Sequence, residues 1–565
     1  MKRVYTNTNK TYISVAKRYI PDSTSIDGLK MQAKSVILKQ WKLINQLKIY
    51  FSKFAHDSNI ENVLNKEFAK FLQKIDPKIY GNDFVQQFSS TISVDNSQEK
   101  SDAKGIDKDK GGISFPNIFS NMWKEETKSV TIPKWKTEKP AVSKELVAAR
   151  TKSIVSSLAL AESDKWRLYE LENLITHLKQ YPEAKHCAVK EGAIRLLLRL
   201  SYKGKKKSIQ GPLNEALSLI GHAHPVRGEG IRILSIDGGG TRGILVIEML
   251  RKLEELSGKP AYEMFDMICG VSTGAIIGAL IGLKQHTLDE TTEIYRSISS
   301  RVFTQSTLKG TSSLVWSHSY YDTELWEKLL QEQMDSTLIQ TARNSKTPKY
   351  CAVSAVVNHP RLAAYVFRNY SLPYNVQSQY MGGYDHQVWE AVRASAAAPT
   401  YFEEFKIGNM ILQDGGILVN NPTAVAIHEA KLLWPTTPIQ CVVSFGTGRT
   451  VPNPIEIKVP TNNNTSWKHK FLAILDSATD TEGVHTMLSD LLPEGVYYRF
   501  NPYLTEMLEM SEIDPVKLEQ LKRDAIMYLR RNEDKFQYAI KKLSVRRNYV
   551  QKSMDWINVQ KQIYA

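Results

Sequence analysis

Long apolar runs are missing from this 565-residue chain. None reaches the ~18 residues of a membrane-spanning helix, and the longest lies around Ala275–Leu283. A bilayer-crossing segment is therefore not expected. The first twenty residues hold no apolar secretory core. They also hold no acid while containing Ser and Thr, a composition that suits organelle import. Cysteine is scarce: Cys187, Cys269, Cys351 and Cys441 lack metal-site spacing and read as reduced core thiols of an intracellular protein. No acidic cluster has calcium-loop spacing, so neither a metal nor a cofactor is expected. No nucleic-acid module pattern appears either, which turns attention from nucleic acid to other anionic partners.

What is present begins with charge. Lys and Arg number 74 against 59 acids, a net charge of +15 that suits an anionic membrane surface. Such a length implies two or three folded units. Residues 1–89 form a basic region in which Ile37, Trp41, Ile44, Leu47, Phe51 and Phe54 share one helical face while Lys39, Lys42 and Lys53 point away. That stripe fits a helix lying in a membrane interface, and equally a helix packed on another domain. Residues 90–142 read as a flexible linker. Residues 143–225 are helical, with amphipathic segments over Leu168–Leu178, Ala188–Leu200 and Leu213–Ile220 that resemble armadillo-type pairs. Residues 451–565 begin Pro/Asn/Thr-rich and continue mostly helical to a basic segment. The end, Gln562-Ile563-Tyr564-Ala565, is not a peroxisomal Ser-Lys-Leu address.

The chemistry concentrates in residues 231–450. Gly270-Val271-Ser272-Thr273-Gly274 stands between an apolar strand candidate, Met264–Cys269, and the helix-compatible Ala275–Leu283. Strand, Gly-x-Ser-x-Gly, helix is the context of a nucleophile elbow, whose glycines permit a turn tight enough to thrust out the serine hydroxyl. Upstream, the strand Ile231–Ile236 runs into Asp237-Gly238-Gly239-Gly240-Thr241-Arg242-Gly243, and Ile244–Leu256 has helical spacing. A glycine run opening a helix bares N–H groups at the positive end of the dipole and holds an anion, either a phosphate or an acyl-transfer oxyanion. Positive φ is expected at Gly239. Downstream, Ile411–Gln413 ends in Asp414-Gly415-Gly416, ahead of another helix.

These three ordered motifs resemble the patatin-like phospholipases, lipid acyl hydrolases with a Ser–Asp dyad, and most of all their calcium-independent gamma-type branch. The likeness covers about residues 231–450 and extends to Trp316–His318 and Arg393–Pro399. It implies a three-layer α/β/α catalytic domain, Ser272 as nucleophile and Asp414 as base, and Gly238, Gly239 and Gly240 as the oxyanion hole. Gly243, Gly270, Gly274, Gly415 and Gly416 complete the motifs. It also implies fatty acyl ester hydrolysis on a phospholipid membrane, at mitochondria or the endoplasmic reticulum. The physical reading agrees if the fold brings Asp414 within hydrogen-bond reach of Ser272, because a serine hydroxyl needs a base to take its proton.

Three other arrangements share these residues. His428, His469 and His485 follow Asp414 in the order of a Ser–acid–His triad. Gly238-x-Gly240-x-x-Gly243 matches a dinucleotide fingerprint, which then needs an acidic residue at the end of the next strand. An actin-like kinase fold uses Asp-Gly-Gly-Gly-Thr on phosphate, with later turns such as Gly446-Thr447-Gly448. There, however, the first loop leads to a hairpin.

Overall fold

The computed structural model describes residues 143–203, 207–304, 320–449, 481–506 and 508–564. The basic stripe of residues 1–89, the linker, Trp316–His318, the Pro/Asn/Thr-rich stretch and His469 lie outside the described residues.

A nine-stranded sheet carries the site. Its strands are β1 (Ile231–Ile236), β2 (Met267–Val271), β3 (Lys349–Val356), β4 (Ala363–Arg368), β5 (Met381–Gly383), β6 (Phe405–Ile407), β7 (Met410–Asp414), β8 (Ile439–Phe445) and β9 (Tyr497–Phe500). The order is β5-β4-β3-β2-β1-β8-β9, and β7 pairs with both β3 and β6. Strands β1, β2, β3, β8 and β9 run parallel. Such strands are covered on both faces, and every residue of β1 and β2 is buried, Arg232 and Ser235 included. In β1, Ile231 and Ile233 join one core while Leu234 and Ile236 join another. The fold is a three-layer α/β/α sandwich, as the resemblance implied.

Among the described residues five helices precede the sheet: α1 (Lys144–Leu160), α2 (Asp164–Gln180), α3 (Ala184–Lys190), α4 (Ala193–Lys203) and α5 (Lys207–Leu219). Leu171, Leu174, Leu178, Leu213 and Leu217 form their core, each burial contributing roughly 1.5–3 kcal/mol. The single segment expected over Ala188–Leu200 is two helices, because the chain turns at Gly192 with φ +78°. Then come α6 (Gly243–Ser257), α7 (Thr273–Gly278), α8 (Leu288–Phe303), α9 (Thr323–Gln333), α10 (Val388–Ser395), α11 (Thr423–Leu433), α12 (Thr481–Leu491), α13 (Pro515–Arg531), α14 (Glu533–Ser544) and α15 (Tyr549–Tyr564). None of the described helices is long and apolar enough to cross a membrane.

Two sequence expectations shift. Strand β2 starts at Met267 rather than Met264, because Ala261–Met264 is one helical turn and Asp266 is taken by Arg232, whose Nη2 and Nε donate to it at 2.7 and 3.0 Å. The region after residue 450 also supplies β9, which pairs with β8 in register Val442↔Tyr497 to Phe445↔Phe500. Its Tyr-Tyr-Arg-Phe is too short for period-two alternation to announce a strand.

One ion pair anchors the far side of β3. The Nε and Nη2 of Arg368 each donate to the Glu429 carboxylate at 2.7 Å, and both residues are buried. Replacing Glu429 by Leu strands a buried guanidinium. Urea denaturation should therefore register a loss of about 3–5 kcal/mol.

Candidate active site

Three loops meet at the carboxyl ends of the parallel strands, where open α/β sheets bind ligands. The first follows β1. Asp237 is buried, and Arg499 of β9 donates to it at 2.7 Å. Arg499 also donates to Ser444 at 3.0 Å, so β9 fastens the base of the glycine loop. Burial nevertheless holds Asp237 at about 6, with Arg499 pulling the other way.

Within the loop the carbonyls are held. Gly238 O accepts from Thr447 Oγ1 at 2.7 Å, and Gly239 O accepts from Arg242 Nε at 3.2 Å and from its amide at 3.3 Å. In a trans peptide C=O and N–H point in opposite directions, so these bonds aim the Gly239 and Gly240 amides away from Thr447 and Arg242. Neither amide has a hydrogen-bond partner among the described residues. Gly238, by contrast, donates its amide to Asn420 O at 3.4 Å. Gly240 O in turn accepts from Thr273 Oγ1 at 2.7 Å and from the Tyr295 hydroxyl.

The positive φ expected at Gly239 is found instead at Gly240, at +57°, whereas Gly239 is extended at 165°. Gly239 is glycine for lack of space, since a Cβ there would sit 2.2 Å from Thr447 Oγ1. Gly243 begins α6 against Thr273 and Tyr295.

The second loop is the elbow. Ser272 has φ 52° and ψ −123°, a strained conformation for a side-chain-bearing residue. Its amide donates to Ser395 Oγ at 3.0 Å, and that hydroxyl donates to Val353 O at 2.6 Å. A Cβ on Gly270 would fall 2.2 Å from Gly274 O, so the two motif glycines face each other across the turn. The chain then runs through α7 into a π-helical turn, Ala279–Leu283.

The third loop depends on β3. Strand β2 pairs with it up to Val271↔Val353, and β7 takes over the pairing from Asp414↔Ser354. Ser272 and Asp414 therefore stand at neighbouring strand ends against one edge. The Ser354 hydroxyl, within reach of Ala394 O and Gln413 O, ties α10 to β7 there. Gly415 and Gly416 follow in a single turn, and Gly416 N donates to Asp414 Oδ1 at 2.7 Å. Burial raises Asp414 to about 6, opposed by hydrogen bonds from Ser272 and from Gly416 N.

Ser272, Asp414 and Gly240 border a pocket open to solvent whose other walls include Ile276, Ile298, Val302, Phe303, Trp326 and Phe402. No described histidine lines it. His428 Nε2 accepts from Gln379 N at 3.3 Å beside Tyr380, and His485 lies near Ser489 and Tyr497. The loop after β1 opens a helix rather than a hairpin, and the next strand ends in the elbow, so the kinase and dinucleotide patterns do not fit.

Similarity to known proteins matches this geometry. The family model for patatin-like phospholipase covers residues 234–427. The chain carries a patatin domain. It is 46% identical over 420 residues to calcium-independent phospholipase A2-gamma of Homo sapiens, covering 74% of this chain and 53% of that protein. The counterpart from Oryctolagus cuniculus is 46% identical over 418 residues, covering 74% and 52%. Phospholipase A I of Arabidopsis thaliana is 32% identical over 390 residues, covering 59% and 29%. The chain spans about half the length of the gamma-type relatives it matches.

Sequence reasoning missed several residues that shape the patatin site. Thr447 was visible only as part of a Gly-Thr-Gly turn, and Ser395 only within Arg393–Pro399. Arg499 carried no local signal at all.

Two outcomes follow from the geometry. Thr447→Val removes the donor to Gly238 O. Ester turnover should fall about 10- to 100-fold with unchanged KM, and Thr447→Ser should restore it. Asp414→Asn should stabilise the fold. A folded-state value of about 6, above the ordinary carboxylate, means that the charged form is disfavoured on folding; the penalty grows as pH rises from about 4 to 6 and is complete above that. Chemical denaturation should show a gain of up to roughly 3 kcal/mol at pH 8 and almost none at pH 4.

Proposed function

We propose that this chain is a calcium-independent phospholipase that hydrolyses fatty acyl esters of membrane glycerophospholipids through a Ser272–Asp414 dyad. The observation that carries the reading is the adjacency of a strained serine and a buried carboxylate poised near neutrality, with two unengaged amides beside them. As Ser272 Oγ attacks the ester carbonyl, Asp414 takes its proton. The Gly239 and Gly240 amides, rather than all three glycines, stabilise the oxyanion, with each such donor contributing about 3–4 kcal/mol. The acyl chain lies along Ile276, Val302, Phe303 and Trp326, where water is excluded.

Collapse of the tetrahedral intermediate expels the lysophospholipid oxygen, which regains the proton from Asp414. Water, activated by the same carboxylate, then attacks the acyl-serine, and the free fatty acid departs. The intracellular, membrane-associated setting, at mitochondria or the endoplasmic reticulum, belongs to this proposal. Its support is the net charge of +15 and the acid-free first twenty residues.

A fluorophosphonate probe should label one residue, Ser272, and Ser272→Ala should abolish labelling and hydrolysis alike. Asp414→Asn should abolish hydrolysis as completely, and the double variant should be no worse, since the pair acts as one unit. Full hydrolysis by either single variant would overturn the dyad. The pH profile of kcat/KM should fall on its acid side near 6, where Asp414 protonates. Asp237 titrates in the same range, so persistence of that limb in Asp237→Asn assigns it to Asp414.

A further inference from the structure

At the end of the sheet opposite Ser272, β3 begins at Lys349, four residues or about 13 Å of strand before Val353. The Lys349 ammonium reaches Ser218 Oγ at 3.4 Å and sits 5.8 Å from the Tyr370 ring centroid. On α3, Lys185 Nζ donates to Ser371 Oγ at 3.1 Å, while Ser371 N donates to Ser218 O at 3.1 Å. The two ammonium groups thus sit on two different serines, Ser218 and Ser371, whose backbones are hydrogen-bonded to each other. His222 and His224 close the corner with their rings 5.2 Å apart, and the enclosed Nε2 of His222 has no hydrogen-bond partner among the described residues.

Lys349 and the two imidazoles, which burial keeps neutral, cluster here with Lys185 one serine away, and no described carboxylate lies in ion-pairing distance of either lysine. Other cations of these two regions are matched: Lys179 by Glu215, Arg343 by Glu172 and Glu215, and Lys346 by Glu263. Burial alone lowers Lys349 to about 8, and burial lowers Lys185 as well, because no acid counteracts it. Partly buried charge without a partner costs free energy that a bound anion recovers. Two point-like ammonium donors, two hydroxyls and an imidazole nitrogen suit a compact oxyanion with several acceptor oxygens.

We propose that Lys185, Lys349, His222 and His224, with Ser218 and Ser371, bind a phosphate group that bridges the helical region to the sheet. The site is separate from the Ser272 chemistry and does not depend on it. A soluble phosphate ester and a phosphomonoester lipid headgroup present the same chemistry.

The test titrates inorganic pyrophosphate into the full chain by calorimetry at constant ionic strength, with vesicles of phosphatidylcholine, with and without phosphatidic acid, as a second arm in Ser272→Ala protein. Lys349→Met and Lys185→Met should each weaken binding at least tenfold, while Lys346→Met, from a matched pair, should not. Pyrophosphate binding lost in those variants assigns a soluble ligand. Lysine-dependent binding of phosphatidic acid vesicles alone assigns a headgroup. If Lys349→Met unfolds, Lys185→Gln carries the comparison from a half-buried helical position. Absence of binding in both arms, or affinity kept in the Lys185 variants, overturns the proposal.

Discussion

The handover along one edge of β3 is the constraint on which the rest depends. A strand edge offers a single row of hydrogen-bonding groups, so β7 can pair only where β2 has stopped. Strand β2 stops at Val271 because the elbow turns the chain out of the sheet, and Asp414 occupies the next register position, opposite Ser354. The same departure that exposes Ser272 thus creates the slot for the carboxylate. Backbone pairing, which is stiff, sets the geometry of the pair, and flexible side chains have little part in it.

That geometry is costly, and the cost is spread over the neighbourhood. Ser272 holds an unfavourable backbone conformation, and Asp414 and Asp237 are carboxylates inside a protein core. Compensation comes from groups that meet only in the fold. Ser395 clips the elbow to Val353, Ser354 joins α10 to β7, and Arg499 reaches from β9 to Asp237. Arg393, almost wholly buried, donates to Glu327 and to Glu403 O, which fixes the end of α10 that carries Ser395. The supports of the site thus lie on separate elements rather than on a single loop.

The carbonyl-side anchoring of the glycine loop has a similar logic. The Gly239 and Gly240 amides are left unengaged while their preceding carbonyls are occupied, by Thr447 and Arg242 respectively. Gly238 differs from its neighbours by one bond, to Asn420. A run of three identical residues is thereby divided into one structural and two unengaged donors. Glycine at 239 is required by Thr447 and at 240 by its φ of +57° together with Met510 O, 2.0 Å from where a Cβ would stand.

Short-range features were legible without coordinates. The largely apolar β1 and β8, the helix after the glycine run, the strand–turn–helix around Ser272 and the turn after Asp414 are local patterns. Local sterics and burial periodicity are sufficient to impose them. Order along the chain also made Ser272 and Asp414 partners by resemblance. What the chain could not express was which residues separated by hundreds of positions would touch. Thr447 lies 209 residues from Gly238, and Arg499 lies 262 from Asp237. Strand β9 is too short to announce itself, and the choice between the amides of Gly238, Gly239 and Gly240 rests on partners from three other segments. The sequence by itself determined most of the elements around the motifs and the chemical groups they carry, because these follow from each residue and its near neighbours. Only the tertiary structure decided which groups are buried, paired or left unengaged, because those properties belong to contacts formed when distant strands share a sheet.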